Sequence, residues 1–153
     1  MLVIVLATLI GVVAGLRTMM APAAGSWAAY LGWIDLSGTW LSFAGYWLTP
    51  WLLTLAAMGE LITDKLPSTP SRKAPPQFAA RVVMGALSGA AIGVAGGMWL
   101  GGLVAGVVGA LVGTIGGSAA RAKLAAAFGR DLPAALLEDV MAIVAAVLIV
   151  SAI

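Results

Sequence analysis

The sequence predicts an all-α membrane protein, a polytopic helix bundle of about six transmembrane segments. Three observations predict it. Of 153 residues, 62% are hydrophobic and 9% are charged, with a mean hydropathy of +1.09. Soluble domains carry about 25% charged residues, so 8 basic and 6 acidic side chains cannot cover a water-facing surface. Apolar runs of spanning length recur along the chain, and polar or basic connections separate them. Finally, basic residues and tryptophans segregate to alternate connections. At about 20 residues per crossing, the length admits one membrane domain, 1–153, and no separate catalytic or DNA-binding domain.

The first run, Leu2–Ala24, reads as a retained helix and not a cleaved signal peptide, because no positive residue precedes it and the first charge is Arg17. A weaker, Trp-rich run covers about 26–45. Asp35-Leu-Ser-Gly38 interrupts it, so this segment is expected to be short, broken or re-entrant. A third run covers about 46–66. The polar stretch LPSTPSRKAPPQ (66–77) follows, its prolines favouring an extended connection. Runs at about 80–96 and 102–120, a basic connection RAKLAAAFGRD (121–131), and a last run at 132–153 complete the chain. The halves, about 1–66 and 79–153, are joined by the Pro-rich linker 67–78.

Charge placement orients the segments. With six crossings, Lys65, Arg72, Lys73, Arg81, Arg121, Lys123 and Arg130 fall on one side, and Arg17 lies toward it. The positive-inside rule makes that side cytoplasmic and puts both termini outside. Trp33, Trp40, Trp47, Trp51 and Trp99 then gather at the outer interface as an aromatic belt. The expected location is the bacterial inner membrane, with the lipid bilayer as first partner. The +2 net charge comes without a basic face, so no nucleic-acid partner is expected.

A shift of 78 residues superposes VLATLIGVVAG (5–15) on VMGALSGAAIG (83–93), with Gly11 on Gly89, Gly15 on Gly93 and Glu60 on Glu138. Three helices per repeat makes the halves oppositely oriented, a three-plus-three inverted repeat of the kind common in transporters. Glycines also recur at helical spacing: Gly85, Gly89, Gly93 and Gly97, then Gly109, Gly113 and Gly117. Small residues four apart let helix backbones approach closely in lipid. The expected use is tight packing of the fourth and fifth helices; a homodimer interface is the alternative.

Neither Cys nor His occurs. Disulfides, thiol nucleophiles, Ser-His-Asp triads, haem ligation and the usual zinc sites are thereby excluded. No cofactor and no enzymatic activity are expected. Intramembrane acids are functional candidates, and four of the six fall within the apolar segments: Glu60, Asp64, Glu138 and Asp139. Glu60 and Asp64, four apart, line one helix face. Carboxylate oxygens suit a hard cation, with Glu60 and Glu138 as candidate metal ligands, and crowded carboxylates can exchange protons. The alternative is that Arg17 neutralises acids to hold helices together, with Asp64 facing water at headgroup level. In the linker, Lys65, Arg72 and Lys73 are expected to meet anionic lipid; a lid or anion-binding loop is the functional alternative.

GLRTMMAPAA (15–24), GELITDKLPSTPSRKAPP (59–76), Arg81, GGSAARAKL (116–124) and LLEDVMAI (136–143) together resemble the bacterial membrane-protein family called domain of unknown function 4126. The resemblance covers nearly the whole chain and points to Arg17, Glu60, Asp64, Lys65, Glu138 and Asp139. The family carries no assigned function. A looser, architectural likeness is to calcium/manganese–proton exchangers with paired Glu-x-Gly-Asp-Lys-Ser/Thr motifs; Glu60-Leu-Ile-Thr-Asp64-Lys65 has one residue more and lacks the Gly. The expected function is a small secondary transporter or channel for a cation or small solute, with the carboxylates available to couple it to protons. The alternative is a non-transporting scaffold or lipid-binding subunit acting through glycine-packed surfaces.

Overall fold

The computed structural model describes residues 1–153 and is entirely helical outside its connections. Six α-helices follow one another: α1 (Leu2–Leu16), α2 (Met20–Tyr30), α3 (Thr49–Thr63), α4 (Pro75–Ala95), α5 (Trp99–Phe128) and α6 (Asp131–Ser151). Three of them, α4, α5 and α6, are long and apolar enough to cross a membrane, and α1 is a shorter apolar helix.

The first apolar run is not one helix. α1 stops at Leu16, Arg17 is extended (φ −137°, ψ 110°), and α2 begins at Met20. Pro22 explains the break: in a continuous helix its ring would strike the carbonyl of residue 18, four positions back. The 11-residue α2 bridges the first two runs, and the second run is helical only as far as Tyr30. Residues 31–48 form an irregular cap containing a single 3₁₀ turn, Ser42–Gly45. Ile34, Leu36 and Leu41 are the cap's own buried anchors, and the Ser26 hydroxyl donates to the Ala44 carbonyl to hold it down. Prolines open α3 and α4 within their first two positions, where the missing N–H costs nothing. Residues 121–128, expected as a connection, instead continue α5, which ends at Gly129 (φ +75°).

α5 is the axis of the fold: α1 and α4 both pack along it, and α6 lies beside it. A Cβ added at Gly89 or Gly85 would run into the Gly102 or Gly106 carbonyl, and one at Gly109 or Gly113 into α1 at Thr8 or Val12. Backbones therefore touch on two sides of α5, van der Waals packing that no larger residue would permit. Gly93 meets Met98 and Gly102 in the same way. Two expected packing glycines behave otherwise. Gly97 packs against nothing and supplies the positive φ of +67° that the α4–α5 turn needs. Gly117 faces the Leu16 side chain and Arg72, outside the glycine seam.

The two ends of the bundle differ in chemistry. One end holds Leu2, Val3, Trp33, Asp35, Val94, Ala95, Ala152 and Ile153 around a shared hollow, with Trp40 edge-on to Trp99 at 5.9 Å. The other end collects the remaining five acids and their basic partners. Glu60, on α3, and Glu138, on α6, are both at this charged end. Residues related by an inverted repeat would lie at mirrored depths, so the 78-residue correspondence between these two glutamates is not reproduced. Nor do the middle helices correspond: α2 has 11 residues and α5 has 30.

Candidate functional site

Five acids and five bases interlock where α1, α3, α4, α5 and α6 meet the 64–74 connection. Arg17, fully buried in the α1–α2 break, pairs with Asp64 at 2.6 Å and with Asp139. Lys65 reaches Asp139 from the end of α3 and also donates to the Leu61 carbonyl at 2.7 Å. Arg72 meets Glu138 as a two-pronged fork, at 2.6 and 3.0 Å. Arg121, on α5, donates to Asp64 at 2.5 Å and grips Asp131 with two bonds of 2.9 and 2.6 Å. Such planar forks are the strongest carboxylate contacts a side chain makes.

The fifth pair splices the helix break. Glu60 accepts the Thr18 backbone N–H at 2.7 Å through one oxygen and the Met19 N–H at 2.8 Å through the other. α2 has no capping side chain of its own; the α3 glutamate satisfies the two N–H groups that lead into it and opposes the positive end of its dipole. Arg81, on α4, is almost entirely buried and donates to the Gly15 and Leu16 carbonyls at 2.8 and 2.9 Å. It caps the negative end of α1 and stands 3.7 Å from Glu60. Each broken helix end thus meets a charge of the favourable sign, and the two charges face one another.

Every candidate acid from the sequence, Glu60, Asp64, Glu138 and Asp139, is in this network, as is Arg17. Lys65 and Arg72, expected to face lipid headgroups, instead turn inward onto acids of α6, whereas Lys73 is exposed and makes no ion pair. Asp64, expected at headgroup level facing water, is instead pinned between Arg17 and Arg121. Glu60 and Glu138, expected as a ligand pair, engage different partners on different elements, and no group of three or more acidic side chains gathers as a metal set. Sequence reasoning left out Arg81, Arg121 and Asp131. Arg81 had a signal of its own, a charge inside the fourth apolar run, the same criterion that selected the acids.

Two polar cavities open at this end. One of about 210 Å³ is lined by Thr18, Glu60, Asp64, Thr69, Arg72, Gln77 and Arg81, among others. The second, of about 310 Å³, is lined by Asp64, Ser71, Arg72, Ser118, Arg121 and Asp131. They share Asp64, Thr69, Pro70 and Arg72, so the 64–74 connection partitions one vestibule. Chemically the first cavity offers both charge signs, hydroxyls and an amide. Comparison with family models, with curated proteins and with solved structures returns no match for this chain.

Proposed function

We propose that the chain is a small secondary transporter of the bacterial inner membrane that moves a small polar solute in exchange with, or together with, protons. The observation that carries this reading is the 210 Å³ polar cavity reaching Glu60 beside the α1–α2 break. Irregular backbone at membrane depth is tolerated where it lines a cavity, and broken helices are a recurrent feature of transporter sites. Because each acid faces a base, a bare cation would have to displace an arginine, which favours a solute carrying its own polar groups.

In this reading six segments cross the bilayer, α2 together with residues 31–34 completing the second. The charged end faces the cytoplasm, in keeping with all eight basic residues. Both termini and the exposed Trp33, Trp40, Trp47, Trp51 and Trp99 lie outside. α1 and α4 run in opposite senses and both lay glycines on α5, which supports an inverted relation of the leading helices of each half. A homodimer would use other faces, since these glycines are filled within one chain. The motif resemblance supports membership of the domain of unknown function 4126 family and assigns no substrate.

The test is flux into proteoliposomes holding a pH-sensitive dye, with cations and small organic solutes supplied outside. Wild type and Glu60→Gln are compared at matched reconstitution. A solute-driven pH change that the variant loses is the expected result. Absence of flux with every ion and solute, from folded protein, overturns the proposal. A scaffold or lipid-binding role is the second reading, favoured by the equal pairing of five acids with five bases. It predicts no flux and misassembly of Glu60→Gln.

A further inference from the structure

We infer that the start of α2 is a carboxylate-binding site filled from within the chain by Glu60, and that the solute is a small carboxylate that takes its place. This rests on the transport reading for its cargo, though not for its binding site. Two successive N–H groups, of Thr18 and Met19, each meet a separate oxygen of Glu60 at 2.7 and 2.8 Å. That arrangement matches a planar two-oxygen anion; a spherical halide offers a single centre to both donors. Helix starts bind anions through such open N–H groups, and here the occupied position is itself evidence of what fits.

Arg81 gives the site its second component. Its side chain is only 3% exposed, one terminal nitrogen stands 3.7 Å from Glu60, and its Nε has no partner. Its other terminal nitrogen is fixed on the Gly15 and Leu16 carbonyls, so the guanidinium is held in place with donor capacity unused. Thr18, Arg72 and Gln77 line the adjoining space of about 210 Å³, which leaves room for the tail of a short acid.

Charge decides the valence of the ligand. The network is neutral with Glu60 ionised; with Glu60 displaced and protonated it carries one excess positive charge, which a monocarboxylate cancels and a dianion overshoots. Buried excess charge is costly, so the exchange runs one for one. A proton from the cavity water adds to one Glu60 oxygen as one carboxylate binds the two N–H groups. The charged groups that line the cavity with Glu60 are Arg81 on α4, Asp64 just past the end of α3 and Arg72 on the connection, and Arg17 pairs with Asp64; none from α5 or α6 lines this cavity.

The test uses the full chain in lipid nanodiscs. Thermal unfolding of Glu60→Ala is followed while sodium formate or acetate is titrated against sodium chloride at equal ionic strength. A saturable rise in melting temperature with the carboxylates, absent with chloride, is expected; no rise, or an equal rise with chloride, overturns the site. Should Glu60→Ala fail to fold, line broadening of ¹³C-formate is measured with Glu60→Gln. Affinity at neutral pH at least about tenfold above wild type supports the site, and equal or weaker affinity overturns it. Flux with a different solute, without carboxylate binding, would sink this inference and leave transport standing. Carboxylate binding without any flux would do the reverse.

Discussion

The glycine seam and the charged end hold the same helices together by opposite means. Along α1, α5 and α4 the contact is backbone against backbone, with no side chain between. At the charged end the same helices are tied by arginines and carboxylates. In lipid, apolar side chains gain nothing by leaving the solvent, so association rests on close packing or on polar links. The seam uses the first and the charged end the second. The seam tolerates no added volume, while the charged end tolerates no lost partner.

That contrast can be broken from either side. Arg17→Met removes the base shared by Asp64 and Asp139 and leaves five acids facing four bases, with Asp64 held by Arg121 alone and Asp139 by Lys65 alone. Breaking a buried pair in this way costs about 3–5 kcal/mol, and denaturant unfolding in mixed micelles would measure it. Next comes Gly106→Val, whose methyls must enter Gly85 and Gly89. Overpacking of this kind costs about 1–3 kcal/mol, read as a lower melting temperature that sodium formate does not restore. Glu60→Gln weakens the capping of α2, with an expected loss of about 0.5–2 kcal/mol and faster hydrogen exchange at Thr18 and Met19.

Smaller effects belong to the opposite end. Trp40→Ala removes the edge contact to Trp99, for which about 0.5–1.5 kcal/mol is expected beyond lost area; a Trp99→Ala cycle isolates that coupling. Smallest is the pH response of Asp35. The hydroxyl and N–H of Ser37, at 2.5 and 2.9 Å, hold its carboxyl below the ordinary aspartate range. A lowered carboxyl contributes stability that is present above its ordinary value and lost as pH falls through the lowered one. Ser37→Ala should therefore move the Asp35 titration upward by NMR, and the small loss of stability it causes should be the same at pH 6 as at pH 8.

The two regions were unequally legible in the sequence. Four-residue spacing announced the seam, because glycine periodicity on a helix is a local signal. The acids were legible as well, since a charge within an apolar run stands out alone. Their partners were not. That Arg72 would cross to Glu138, or Arg81 reach the carbonyls of α1, depends on how elements far apart in the chain pack. The break at Arg17 was hidden by an unbroken apolar run, although Pro22 already forbade a continuous helix there. Gly97 illustrates the reverse error: the right spacing, in a residue serving a turn.

The bare stretch of α5 has a consequence at the level of the gene. A glycine codon has no single-base neighbour that encodes anything smaller, and the mildest replacement, alanine, already adds the methyl that Gly102, Gly106, Gly109 and Gly113 have no room for. In a survey of random point mutants, the middle of α5 should stand out as a run of positions at which almost every missense change is lost. Its outward-facing valines, 104, 108 and 112, which are exposed, should meanwhile drift freely among leucine, isoleucine and alanine. A helix that looks uniformly apolar would thus be inherited as two alternating stripes, one frozen and one neutral.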